Sequence, residues 1–162
     1  MGPIPVKEYL SSVYEPDMDF VEGELEDRNV GEKDHSKVQL RVVRLLENGK
    51  WFVAIGARVR ISPTRYRVPD ICVYEREPEE QVLHSPPWIV VEILSREDRM
   101  SLMQRKMEDY YTAGCPHIWI LDPWLRKAYE FDGTSIAEVS ELVTEDGRVR
   151  LKLAEHFSAV GN

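Results

Sequence analysis

An α/β domain built on a mixed β-sheet is what this chain predicts, on three observations. Apolar residues recur at helical spacing in two separate stretches, 35–48 and 101–114. Short β-branched runs bounded by turn residues lie between and after them. The order helix, strands, helix, strands contains no internal repeat, which suits a mixed sheet with helices against it. With 162 residues, 43 % hydrophobic and 31 % charged, the chain is expected to be one domain over 1–162 with a real core.

In chain order, "FVEGEL" suggests a short strand or turn around Gly23. "HSKVQLRVVRLLEN" sets Val38, Leu40, Val42, Val43, Leu45 and Leu46 largely on one helical stripe, with Gly49 as the stop. "KWFVAIGARVRIS" reads as one strand, punctuated by Pro63 and Thr64. "RYRVPDICVYE" reads as the next, with Pro69 arguing for an edge or a bulge. "PPWIVVEILS" is a buried strand. "SLMQRKMEDYYTAG" is a helix capped by Ser101 or Asp98 and stopped by Gly114. "HIWILDP", "KAYEFDG" and "RVRLKLAEHF" complete the domain as further strands.

Composition narrows the function. A net charge of −8 disfavours simple coating of nucleic acid, which wants a broad basic face. Cys72 and Cys115 follow no metal spacing and read as free thiols in a reducing compartment. No apolar run resembles a signal peptide or reaches membrane-spanning length, so a soluble cytoplasmic protein without membrane contact is expected. No Gly-rich phosphate loop and no Ser-His-Asp arrangement is present. His84, His117 and His156 share no ligand spacing. Trp88 and Trp119 read as core, whereas Trp124, after Pro123, reads as exposed and suits a dimer contact.

The unusual residues are two acids, Asp70 and Glu92, each inside a run that otherwise reads as buried strand. Burying an unpaired carboxylate costs several kcal/mol. From Glu92 a strand advances to Ser95, and the chain must then return over the sheet as a helix. That return brings Lys106 level with Glu92, and Asp70 joins them if its strand pairs with the Glu92 strand. Two carboxylates and a lysine in one cleft suit metal-assisted phosphoryl chemistry, because Mg²⁺ takes one or two carboxylates and completes its shell with water and phosphate. The bland alternative is a strand-end Asp70 and a structural Glu92–Lys106 pair.

"VPDICVY", "IVVEILS" and "DRMSLMQRKMEDYYTAGCPHIWILDP", in that order, resemble the Uma-two family, a branch of the PD-(D/E)xK nuclease superfamily. "FVEGEL" and the helix opening at His35 fit the same pattern, so the resemblance spans about 14–133. It implies a restriction-endonuclease-like core, with a mixed sheet flanked by helices, and a metal-dependent endonuclease acting on DNA. Asp70 takes the "PD" position and Glu92 the acid of the later motif. The usual lysine two residues on is replaced by Leu94, and Lys106 on the following helix matches the migrated lysine of this branch. Arg96 stands where many relatives carry Pro.

On that resemblance Asp70, Glu92 and Lys106 are the catalytic residues, and Asp70, Glu92 and the Ile93 backbone carbonyl hold Mg²⁺ or Mn²⁺. Glu22 is either a further metal ligand or a turn acid beside Gly23. His35 is either a cap and packing group or an accessory of the site, and Tyr110 either packs in the core or hydrogen-bonds the site. Arg96, Arg99 and Arg105 are the expected nucleic-acid contacts, within a rim that also draws on Arg58, Arg60, Arg65 and Arg67. Cutting both strands of a duplex suits a homodimer. Two rivals stand beside this reading: a catalytically silent nuclease-fold module that binds a protein, and a nuclease acting on RNA or another phosphate-containing substrate.

Overall fold

The computed structural model describes residues 2–28, 32–96 and 98–152. It begins α1 (Val6–Ser11), β1 (Asp19–Val21), β2 (Glu24–Glu26), α2 (Lys33–Leu46), β3 (Phe52–Ile55) and β4 (Val59–Ser62). It continues β5 (Arg65–Arg67), β6 (Ile71–Tyr74), β7 (Ile89–Ile93), α3 (Met100–Ala113) and β8 (His117–Asp122). β9 (Lys127–Phe131), β10 (Ile136–Val139), β11 (Glu141–Val143) and β12 (Arg150–Lys152) end the described chain. Part of the last expected strand, with His156, lies outside the described residues.

A six-stranded sheet runs β10-β9-β8-β7-β6-β3, a four-stranded sheet runs β2-β1-β5-β4, and β11 pairs with β12. β7 and β8 are parallel, and the neighbouring β6–β7 and β8–β9 pairs are antiparallel. The parallel pair needs a crossover, and α3 supplies it. The expected mixed sheet with flanking helices is therefore what the chain forms.

Strand pleat and helix stripe explain the layers. Ile89, Val91 and Ile93 of β7 face one way and join a core with Val38, Val42 and Leu46 of α2. Val90, on the opposite face, joins Met103, Met107 and Tyr110 of α3. Each such buried side chain is worth about 1.5–3 kcal/mol. Leu40 falls off the α2 stripe and is exposed.

Two expected strands are each broken in two. Gly56 adopts φ 61° after β3, and β4 then joins the other sheet. A φ of that sign suits glycine, which has no Cβ to clash. Likewise β5 and β6 flank Pro69 and belong to different sheets. Proline has no N–H for a ladder, so the run breaks there rather than bulging. Asp70 therefore sits at a junction between sheets, just before β6, and not inside a strand.

The caps also differ from expectation. α3 starts after Arg99 with no side-chain cap, because Asp98 Oδ2 accepts from the Ser95 backbone N–H instead. α2 begins at Lys33 after Glu32, earlier than His35. The C-terminal end of α3 follows the reading: Gly114, at φ 101°, donates back to Tyr110 and Tyr111.

Candidate active site

Period-two alternation aims Glu92 at α3. Val90 shares its face and packs on α3, whereas Val91 and Ile93 pack on α2. β6 pairs with β7 in a register that sets Ile71 opposite Val91, so Asp70 arrives beside the Glu92–Ile93 step. One cavity of ≈ 20 Å³ is lined by Asp70, Glu92, Ile93 and Lys106, together with Arg28, His35, Ser95, Asp98 and Met103.

Asp70 is held from three sides. Its Oδ2 accepts the Ile93 backbone N–H at 2.7 Å and lies 3.2 Å from His35 Nε2. Its Oδ1 accepts from Arg28 Nη2 at 3.2 Å. Gln39 of α2 donates to the Asp70 backbone carbonyl at 2.9 Å. Burial alone would push the Asp70 carboxyl up, but His35, the Ile93 amide and Arg28 outweigh it and hold the group below its usual range. Burial also opposes charge on His35, and Asp70 overcomes this to raise the imidazole pKa. His35 is thus a partner of the "PD" aspartate and not a helix cap.

Glu92 behaves oppositely. It is 4 % exposed, and burial followed by the nearby Asp70 charge raises its pKa to about 8. Lys106 and the Tyr110 hydroxyl, which donates to Oε1 at 2.7 Å, only partly offset this. The ordinary value is 4.5, so between 4.5 and about 8 the folded protein binds the proton more tightly than the unfolded chain. The resulting stability is complete at the acid end and lost as pH rises through about 8. Urea unfolding in EDTA should therefore show wild type weakening from pH 5.5 to pH 8. Glu92→Gln should weaken less, retaining the His35 contribution, which has the same sign. Parallel wild-type and Glu92→Gln profiles would contradict the assignment.

Lys106 is partly buried near two acids. Burial disfavours its charge, but Glu92 and Asp19 more than compensate and its pKa is raised. Its Nζ lies 3.7 Å from Asp19 Oδ2. Asp19 leads to a network that sequence reasoning missed. Arg67, 0 % exposed, contacts Asp19 at 3.1 Å, Glu26 at 2.7 Å and Asp109 at 2.7 Å. Asp19 Oδ1 also accepts the Val68 backbone N–H. The available signal was an acid beside the apolar pair Phe20-Val21, the same kind of signal that singled out Glu92.

The remaining candidates scatter. Glu22 does not line the cavity; its carboxylate accepts from Thr64 and lies 3.5 Å from Arg65. Arg67 is wholly buried and Arg58 is clasped by Asp17, so neither belongs to an exposed rim. Arg65 pairs with Asp109 at 2.6 Å. Arg96, Arg99 and Arg105 are exposed or largely so. Cys72 and Cys115 are free and buried, and burial pushes both thiols up to about 12. Trp119 is buried, Trp88 packs against the core, and Trp124 is exposed. No helix of the described residues is long and apolar enough to cross a membrane.

A mixed sheet with α3 as crossover, and acids from adjoining strand ends meeting a helical lysine, define a restriction-endonuclease-like fold. A crystal structure of a "putative nuclease belonging to DUF820" from Anabaena variabilis shares it, with a TM-score of 0.79 at 18 % identity. The match covers 96 % of this chain and 98 % of that one. The family model Uma2, described as "Putative restriction endonuclease", matches residues 6–158, and the chain belongs to that family. No functionally curated protein matches the sequence.

Proposed function

We propose that the chain is a divalent-metal-dependent endonuclease that hydrolyses phosphodiester bonds of DNA. The observation carrying this is that Asp70, Glu92, Ile93 and Lys106 line one cavity in a chain of this family. The donors suit Mg²⁺ or Mn²⁺: hard carboxylate oxygens, few in number, leaving room for water and phosphate. A cavity of ≈ 20 Å³ is on the scale of one water or ion.

Held by Asp70, Glu92 and the Ile93 carbonyl, a divalent ion would supply Lewis-acid polarisation of the phosphoryl group and a more acidic water. Lys106, kept protonated by Glu92 and Asp19, acts as hydrogen-bond donor and positive charge toward the attacking water and the developing negative charge. A raised pKa makes it a poor base. Tyr110 fixes Glu92 by donating to Oε1. Arg28 and His35 bring positive charge beside Asp70, where a phosphate would otherwise meet bare carboxylates. Cutting both strands of a duplex would call for two copies about a two-fold axis.

One observation favours the silent-module rival. Both Asp70 oxygens already have partners, so a metal must displace Arg28 or His35 to reach them. The test is cleavage of single-stranded, double-stranded and branched DNA, and of RNA, with Mg²⁺, Mn²⁺ or EDTA. Metal-dependent cutting of DNA that disappears in Asp70→Asn is the expected result. Cutting of RNA alone would move the substrate, and no cutting of any of them would favour the silent module.

A further inference from the structure

A second cavity, of ≈ 540 Å³, adjoins the acid cavity and shares His35, Ser95 and Asp98 with it. That volume lies within the roughly 300–1,000 Å³ of small-molecule sites. Its most distinctive feature is a cation–π contact. The Arg96 guanidinium carbon sits 3.8 Å from the Trp124 ring centroid. Both members are held in place. Asp122 Oδ1 accepts the backbone N–H groups of Trp124 and Leu125 at 2.9 and 3.0 Å, which fixes the turn. Glu32 accepts the Arg96 backbone N–H at 2.8 Å and lies 3.7 Å from its side chain. Trp124 nevertheless remains 66 % exposed, so part of the indole stays open to a ligand.

We propose that this cavity receives a nucleobase of the substrate strand, stacked on the Trp124–Arg96 platform while the adjoining phosphate lies at the mouth of the Asp70–Glu92 cavity. Charge decides which part of a nucleotide enters. Glu32, Asp34, Asp98 and Asp122 outnumber the cations His35 and Arg96 in the lining and disfavour phosphate, but carboxylates accept hydrogen bonds from base amino and imino groups. Aromatic and guanidinium faces stack on any base. A base held there has left its duplex stack, so single-stranded, frayed or branched DNA is favoured over intact duplex. The inference rests on the nuclease reading.

The test measures binding of a labelled single-stranded oligonucleotide, and of the same backbone with abasic positions, with Ca²⁺ replacing Mg²⁺ to limit turnover. Trp124→Ala should weaken binding of the complete oligonucleotide about tenfold and leave the abasic one unchanged. Trp124→Phe should retain most of the binding, and Arg96→Ala should follow Trp124→Ala if the latter does not fold. Equal binding of complete and abasic strands by wild type, or no effect of either substitution, overturns the proposal. If that result comes with Mg²⁺-dependent cleavage, only the base pocket fails. If no strand is bound or cut, the nuclease reading falls with it.

Discussion

Replacing Arg67 by Met should lower folding stability by about 3–5 kcal/mol, the cost of removing one partner from a buried ion pair. The guanidinium is wholly buried, and it contacts Asp19, Glu26 and Asp109. Asp19 and Asp109 are themselves buried, so removing Arg67 leaves carboxylates that neither water nor another arginine fully covers. Lys106 and Arg65 would then be the nearest cations, 3.7 Å from Asp19 and 2.6 Å from Asp109. Chemical denaturation measures the loss. Adding Asp109→Asn to Arg67→Met should recover part of it, because the second change removes one stranded charge. A loss below about 1 kcal/mol would mean the network is a surface-grade contact, contrary to its burial.

The second large effect falls on chemistry. Lys106→Met should slow the cleavage step by about 10²–10³-fold, the scale of losing one preorganised donor to developing charge. Strand binding should change far less, since a donor to developing charge acts mainly in the transition state. Asp19 keeps Arg67 as a partner in this variant, so the fold should survive. Single-turnover rates at saturating enzyme separate the two effects. A variant that cuts at the wild-type rate but binds weakly would make Lys106 a binding residue. Asp70→Asn is a harsher change than its charge alone suggests. The ionised carboxylate accepts from Ile93, and Arg28 and His35 lie beside it, so the metal-free variant should lose stability. Relief of charge crowding is expected at Glu92, the acid whose pKa is raised, and not at Asp70.

The meeting of Glu92 and Lys106 was legible because it depends on local periods, whereas that of Asp70 hung on the pairing of β6 with β7. Strand pleat decides which face Glu92 takes, and helical rise decides how far along α3 the chain returns to it. The divisions at Gly56 and Pro69 were half legible. Both residues announce a break, but whether the chain resumes in the same sheet or another depends on partners distant in sequence. Arg67 shows the same limit more sharply. In sequence it flanks an acid and looks like a rim cation, yet β5 turns it inward toward Asp19 and Asp109. A charge read along one strand does not reveal which way the pleat will face once that strand joins a second sheet. The Trp124–Arg96 contact was out of reach for a related reason, because the two residues meet only when the turns after β7 and β8 come side by side.

The claim beneath all of these is that Asp70 and Glu92 form a divalent-cation site, and Mn²⁺ titration followed by thermal unfolding tests it without a substrate. A cation that binds only the folded state should add about 2.7 kcal/mol at one hundred times its Kd. The gain should grow from pH 6 to pH 8, as the proton that Glu92 holds up to about 8 becomes easier to displace. Glu92→Gln should lose most of this gain while remaining folded in EDTA. Equal Mn²⁺-induced shifts in wild type and Glu92→Gln, independent of pH, would contradict the account.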